Sequence, residues 1–220
     1  SDGDGILDGD EDGRLDAPAD PGARQLARGV EVIAEDETGV TLELVTTGFE
    51  AEVVAVDGQE FEQLKIADYV HGYTGQLGAP QLPLKGILID IPAGKAAELS
   101  VLSTAVEPYE GYRIYPVPEA VADTEGGTAA VGGVFYQDQS AYNADGFYPQ
   151  TAALLGQSYV YREQNKQQIV FYPLSFNPVT GDLNLYRRIR VRIDYVDNHL
   201  VKAAPAPFST MRQSSIFLPD

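Results

Sequence analysis

Residues 188–196 read Arg-Ile-Arg-Val-Arg-Ile-Asp-Tyr-Val, and this unbroken alternation limits the fold more than any other stretch. A strand repeats its faces every two residues, whereas a helix needs apolar positions three and four apart. Ile189, Val191, Ile193 and Tyr195 therefore share one face, and Arg188, Arg190, Arg192 and Asp194 share the other. The same period appears where Val40, Leu42 and Leu44 alternate with Thr41, Glu43 and Val45. Apolar runs at 84–91, stopped by Pro92, and at 169–174 have strand length. Residues 97–106 read as a strand with Leu99 and Val101 on one face. Helical spacing is confined to short pieces, of which 64–70 and 151–155 are the best. Thirteen Tyr and eight Phe against no Trp and one Met suit pleated, half-buried surfaces, and 14 Pro with 22 Gly supply turns. These features predict an all-β chain: a β-sandwich-like single domain with antiparallel sheets and at most short helices.

Composition divides the chain into an Asp/Gly leader at 1–22, a β domain at 23–200 and a linker with a tail at 201–220. The net charge is −18, of which the first twenty residues carry −7, so −11 falls on the rest. A surface this acidic repels phosphate backbones and anionic lipid, so neither nucleic acid nor membrane is expected as a partner. No stretch approaches the roughly 18–20 apolar residues of a membrane helix. The absence of Cys excludes disulfides, thiolate metal sites and cysteine nucleophiles within this chain. The opening Ser1-Asp2-Gly3-Asp4 reads as the edge of a longer precursor, secreted or displayed at a cell surface by bacterial-type export.

The leader has a metal-binding spacing. Asp8, Asp10, Asp12, Gly13 and Asp16 fall on the first positions of a calcium loop, with the Arg14 carbonyl as a backbone ligand. Hard Ca²⁺ takes oxygen ligands, which alternate Asp residues supply, and the glycine permits the sharp turn between them. Ala19 stands where the bidentate Glu belongs, and Asp20, one step beyond, substitutes. An overlapping second copy uses Asp2, Asp4, Gly5, Asp8 and Glu11. The spacing resembles thrombospondin type 3 calcium repeats and implies a structural calcium site. The plainer alternative is a solvated acidic leader without metal.

Residues 172–186 read Tyr-Pro-Leu-Ser-Phe-Asn-Pro-Val-Thr-Gly-Asp-Leu-Asn-Leu-Tyr, a strand, an Asn-Pro turn closed by Thr-Gly, and a second strand. Gly181 can take a positive φ, and Leu183 and Leu185 then alternate into the core. Upstream lie Gly78-Ala79-Pro80-Gln81-Leu82-Pro83, Tyr115-Pro116-Val117-Pro118, and Phe147-Tyr148-Pro149 following Tyr142. In this order and spacing, over about residues 28–196, the elements resemble the propeptides that precede gingipain-type cysteine peptidases.

The resemblance implies an all-β pro-domain lying on a downstream caspase-like catalytic domain of the same precursor. There it assists folding and blocks the active-site cleft until it is cut away. No catalytic residue is expected here: the two histidines, His71 and His199, have no Cys to pair with. The resemblance also implies a basic side chain in the specificity pocket. The long loop at 117–133 holds no Lys or Arg, which leaves Arg113, Arg162 and Lys166 as inhibitory candidates. Lys202 and Arg212, flanking and following the Ala-Pro linker, are candidate processing sites, Arg212 the better one. The arginine face of 188–192 either docks an acidic patch or pairs with acids on neighbouring strands, and pairing is the more ordinary outcome. Two rival readings are a calcium-containing carbohydrate-binding or adhesin-type sandwich and a structural spacer of a surface protein.

Overall fold

The computed structural model describes residues 24–67, 72–120, 133–162 and 164–197. The calcium ligands proposed at 2–20, the two histidines, the centre of the 117–133 loop and the processing candidates Lys202 and Arg212 lie outside them. The described elements are β1 (Arg24–Ala27), β2 (Val30–Asp36), β3 (Gly39–Val45), β4 (Glu50–Val56), β5 (Gln59–Lys65), β6 (Lys85–Ile91), β7 (Lys95–Tyr109), α1 (Gln139–Tyr142), β8 (Ala153–Tyr161), β9 (Gln164–Phe171), β10 (Leu174–Asn177) and β11 (Asp182–Asp197).

The fold is all-β with antiparallel sheets, as the alternation predicts. Its spine is β11. Residues 188–194 pair with β3, and 183–197 pair with β7, so these neighbours occupy opposite edges of β11. The start of β11 pairs with β10 on the β3 side, and β2 then β1 extend the sheet beyond β3. A second sheet runs β6-β9-β8, and β4 with β5 forms a separate ribbon. Ile189, Val191 and Ile193 lie fully buried with Leu42, Leu44, Ile169 and Phe171 in one core cluster that both larger sheets feed. Ile87, Ile89 and Ile91 of β6 join it, while Leu88 and Asp90 point to solvent. The alternation is the cause: a strand buries every second side chain when one face is covered.

The Asn-Pro-Val-Thr-Gly turn forms as read. Gly181 has φ +77°, and its N–H donates to the Asn177 carbonyl at 2.9 Å. Asn177 Oδ1 accepts from the Val179 N–H at 3.0 Å, an Asx-type contact that sets the turn. Leu183 and Leu185 are fully buried.

Both short helical candidates are corrected. Leu64 and Lys65 close β5, where Leu64 faces Ala51 across the ribbon, and β8 begins within 151–155 at Ala153. A short apolar run cannot distinguish helix from strand by spacing, and cross-strand partners decide it. The helix that does form, α1, is four residues long and is capped by Asp138, whose Oδ1 accepts from the Ser140 N–H at 2.9 Å. The run at 169–174 also divides, because Pro173, lacking an N–H, falls between β9 and β10. In β7, Leu99 and Val101 share a face, opposite Ile193 and Val191; Leu99 packs on the core, Val101 is 39% exposed, and the register shifts beyond it at Leu102.

The arginine face is satisfied within its own sheet. Arg190 stands opposite Glu43 and reaches it at 2.7 Å, and Arg188 Nε lies 3.4 Å from the same carboxylate. Arg192 joins Asp36 and Asp194, each at 3.0 Å. The Glu43 side chain is only 8% exposed and sits beside Glu31 of β2, so two guanidiniums offset one buried carboxylate with an acidic neighbour. Asp36 accepts from the Thr38 hydroxyl and backbone and from Arg192, which holds its carboxyl below the usual carboxylate range.

Replacing Leu185 by Ala should cost about 2–5 kcal/mol in urea unfolding, because a filled core position becomes a cavity. Glu43→Gln should cost about 1–2 kcal/mol, since it removes the charged acceptor from two arginines while keeping the shape. The Asp36 contribution has a definite sign. Its folded pKa is depressed, so the stabilisation is complete above the unfolded carboxylate value and disappears as pH falls toward the folded one. Melting temperature followed from neutral pH downward should fall less steeply in Asp36→Asn than in the parent chain.

Candidate functional site

The elements singled out at 78–83, 115–118, 142–149 and 172–186, far apart in sequence, are hydrogen-bonded to one another. Gly78 N–H donates to the Val117 carbonyl, Val117 N–H to Ala79 and Gln81 N–H to Tyr115, at 2.8–2.9 Å. Gly78 has φ +74°, and a Cβ there would lie 2.6 Å from the Tyr136 ring, so no side chain fits. Tyr148 exchanges two backbone bonds with Phe176, and Asn177 Nδ2 donates to Asp145 at 3.0 Å. Tyr142, its hydroxyl pKa raised by burial, donates to the Ile114 carbonyl at 2.6 Å. Tyr112 N–H donates to Gly181 at 3.0 Å and ties the turn to the same platform.

This platform anchors both ends of the long loop. Glu119 and Val134 exchange two backbone hydrogen bonds of 2.9 Å, closing a stem around 120–133. Phe61, Tyr115 and Phe135 pack beneath the stem with ring centroids 5.3–6.2 Å apart. A Cβ on Gly133 would fall 2.2 Å from the Glu119 carbonyl oxygen, so the stem requires glycine there. Sequence reading marks the loop by its length but does not reveal this stem. The signal available, an aromatic residue on each side of the loop at Tyr115 and Phe135, has meaning only once the ends are seen to meet.

The three cationic candidates occupy different settings. Lys166 lies within β9, paired with Asp90 at 2.5 Å, its side chain 24% exposed. Arg113 is fixed through its backbone: its N–H donates to the Glu62 carboxylate at 2.6 Å and its carbonyl accepts from the Glu62 N–H at 2.7 Å. Its guanidinium sits 5.9 Å from the Phe61 ring centroid and lines a cleft of about 550 Å³ with Gln59, Gln139, Tyr142 and Val179. Arg162 stands at the tip of the β8–β9 hairpin with φ +50°, a left-handed backbone uncommon for a residue with a side chain. Its guanidinium lies 5.2 Å from the Tyr161 ring centroid, and Val160 beside it is 77% exposed. The structure thus does not bring the three together: Arg162 stands exposed at a hairpin tip, Arg113 is exposed beside Phe61, and Lys166 is paired.

Among the described residues no group of three or more His, Asp or Glu side chains is arranged to hold a metal ion. No described helix is long and apolar enough to cross a membrane.

Comparison with known proteins agrees with this geometry. The family model Propeptide_C25 matches residues 25–210. Gingipain R2 of Porphyromonas gingivalis, from two strains, is 27% identical over 116 residues, which is 53% of this chain and 15% of the relative. This chain therefore aligns with only a small part of that relative's length. A chain in the complex of Porphyromonas gingivalis RgpB pro- and mature domains superposes with a TM-score of 0.67 at 20% identity, covering 77% of this chain and 84% of that one. A chain from a structure on the zymogenic latency of gingipain K, from the same organism, gives 0.62 at 17% identity, covering 76% and 92%. These two likenesses show a shared fold. With its family matched across the whole β domain, the chain belongs to Propeptide_C25 and is a non-catalytic propeptide segment of gingipain type.

Proposed function

We propose that the chain acts as the pro-domain of an exported cysteine peptidase of gingipain type, aiding the folding of the catalytic domain of the same precursor and covering its active-site cleft until removed. The observation that carries this reading beyond family membership is the clamped scaffold. A stem closed by the Glu119–Val134 bonds and a hairpin ending in Arg162 are both held by backbone hydrogen bonds, so little ordering is required when they meet a partner. The named relatives support the direction: one structure holds RgpB pro- and mature domains in complex, and the other concerns zymogenic latency in gingipain K. Of the three cations, Arg162 has the presentation that an inhibitory side chain needs. Cleavage after Arg212, with Lys202 as a second site, would release the pro-domain.

Inhibition of the separately matured peptidase by added chain tests the proposal. Arg162→Ala should raise the inhibition constant about 10-fold or more, as loss of a charged anchor does, whereas Arg113→Ala and Lys166→Ala should leave it nearly unchanged. Gly133→Val, which forces the stem open, should also weaken inhibition. An inhibition constant that all four variants leave unchanged would remove both the hairpin and the stem from the interface. Failure of the parent chain to inhibit or to assist refolding would remove the pro-domain function itself.

The leader carries a separate proposal, supported by its Asp and Gly spacing: residues 2–20 bind calcium through Asp2, Asp4, Asp8, Asp10, Glu11, Asp12, Asp16, Asp20 and the Arg14 carbonyl, and stiffen the approach to the β domain. Calorimetric titration of the chain with CaCl₂ should show saturable binding that the double change Asp10→Asn, Asp12→Asn abolishes. Heat identical in both chains would assign the leader to plain solvation.

A further inference from the structure

The turn at 76–79 holds a leucine out into water. Ala79 N–H donates to the Gln76 carbonyl at 3.1 Å, and Gly78, at φ +74°, supplies the left-handed corner, so Leu77 stands at the tip of a tight turn. Such a corner ordinarily carries a polar residue or proline, yet Leu77 is 45% exposed. It is not isolated. The Tyr136 ring lies against the backbone at Gly78, and the Gly78 carbonyl accepts from the Asp138 N–H at 3.0 Å. Val134 and Tyr136 are 58% and 45% exposed, while Phe135 between them turns inward onto Phe61. Beside the same turn opens a cleft of about 540 Å³, lined by Gln76, Pro80, Phe147, Tyr148 and Tyr186. Charge avoids this face. The chain is 22% charged, but 72–84, 115–118 and 134–150 hold only Asp138 and Asp145. Both are engaged within the domain: Asp138 caps α1, and Asp145 accepts from Asn177.

We propose that Leu77, Val134 and Tyr136, with the cleft beside them, form an apolar docking face for the catalytic domain of the same precursor. The assignment rests on the pro-domain reading and adds to it an area of contact beyond the stem and the Arg162 hairpin. Three observations select this occupant. Val134 belongs to the stem itself, through its two bonds with Glu119, and Tyr136 follows about 7 Å further along an extended backbone. A surface that receives the stem therefore meets Tyr136 and the Leu77 turn packed beside it. A second copy seated here would cover the stem that the inhibitory role needs free. Next, the face has the makeup of an interface centre, where charge is depleted and aromatic rings accumulate. A partner attracted by charge finds nothing here to pair with. Last, the anchors are already ordered, Leu77 by its turn and Tyr136 by contact with Gly78, so docking sacrifices little side-chain freedom.

Calorimetric affinity of the full chain for the separately matured peptidase, read alongside inhibition, tests the face. Leu77 can be exchanged without strain, because only Gly78 in its turn needs a positive φ. Leu77→Lys and Leu77→Glu should each raise Kd about 10-fold or more, since an apolar contact is lost whichever charge replaces it. The loss should persist at about 0.5 M salt, where long-range charge effects are screened. Val134→Lys should act in the same direction, while Leu88→Lys, on the solvent face of β6, should change Kd by less than about 2-fold. Circular dichroism and melting of each variant, unchanged, separate loss of docking from loss of fold. A parent chain that inhibits, with Kd untouched by the Leu77 and Val134 variants, overturns the docking face and leaves the pro-domain reading intact. A parent that binds without inhibiting, its affinity lost in those variants, removes the inhibitory role and keeps the face. A parent with no affinity overturns both. Weakening by one sign of charge only, abolished by salt, overturns the face. So does a self-associating chain in which Leu77→Lys breaks the dimer and spares peptidase affinity, which assigns the face to a second copy.

Discussion

The structure depends on one strand being bonded along both edges. β11 holds β3 and β10 on one side and β7 on the other, and its odd-numbered side chains, Ile189, Val191 and Ile193, fill the core beneath. Both halves of the six-stranded sheet are therefore joined only through it. Its other face carries four charges that an exposed strand would leave to water, and β3 answers the arginines with Glu43 and the end of β2 with Asp36. Apolar burial on one face and charge compensation on the other require the same register, so a slip by one residue would lose both at once.

Around that sheet, the irregular segments behave as one body. Loops usually run over a surface and bond water, yet here backbone groups from 78–81, 115–119 and 134 bond one another, Tyr112 bonds the turn at Gly181, and Tyr148 bonds Phe176 of β10. Aromatic rings fill the space that these segments enclose. The result is a rigid support made from segments without regular secondary structure, and it fixes both ends of the 120–133 loop. Family membership fits this economy: a propeptide segment contributes surface and order, and the chemistry belongs elsewhere.

Much of the sheet was legible in the residues because period-two alternation has a single structural meaning. The strand at 188–196, the strand at 40–45 and the buried pair Leu183 and Leu185 follow from it directly. Turn chemistry was equally readable, since the Asn-Pro-x-Thr-Gly run leaves a positive φ to the glycine. The segments at 64–70 and 151–155 were not, because short apolar runs satisfy both periods and only their partners, Ala51 for Leu64 and Phe171 for Ala153, decide. Site residues were least legible for the same reason. Arg113, Arg162 and Lys166 are equivalent cations in the sequence. Depth within a strand, a hollow beside Phe61 and a hairpin tip distinguish them, and each is a property of pairing over long separations.

The position of β11 in chain order has a further effect. It is the last of the described strands, yet it mates with segments that precede it by roughly 80 to 150 residues. A chain that emerges amino end first leaves β7 and the second edge of β3 unpaired until residues 182–197 arrive, and long-range closure of this kind is slow. Assembly is thereby timed to the moment when the whole domain has been delivered. The β2–β3, β4–β5 and β6–β9–β8 pairings do not need β11, so what waits for it is the joining of β7 to the rest of its sheet.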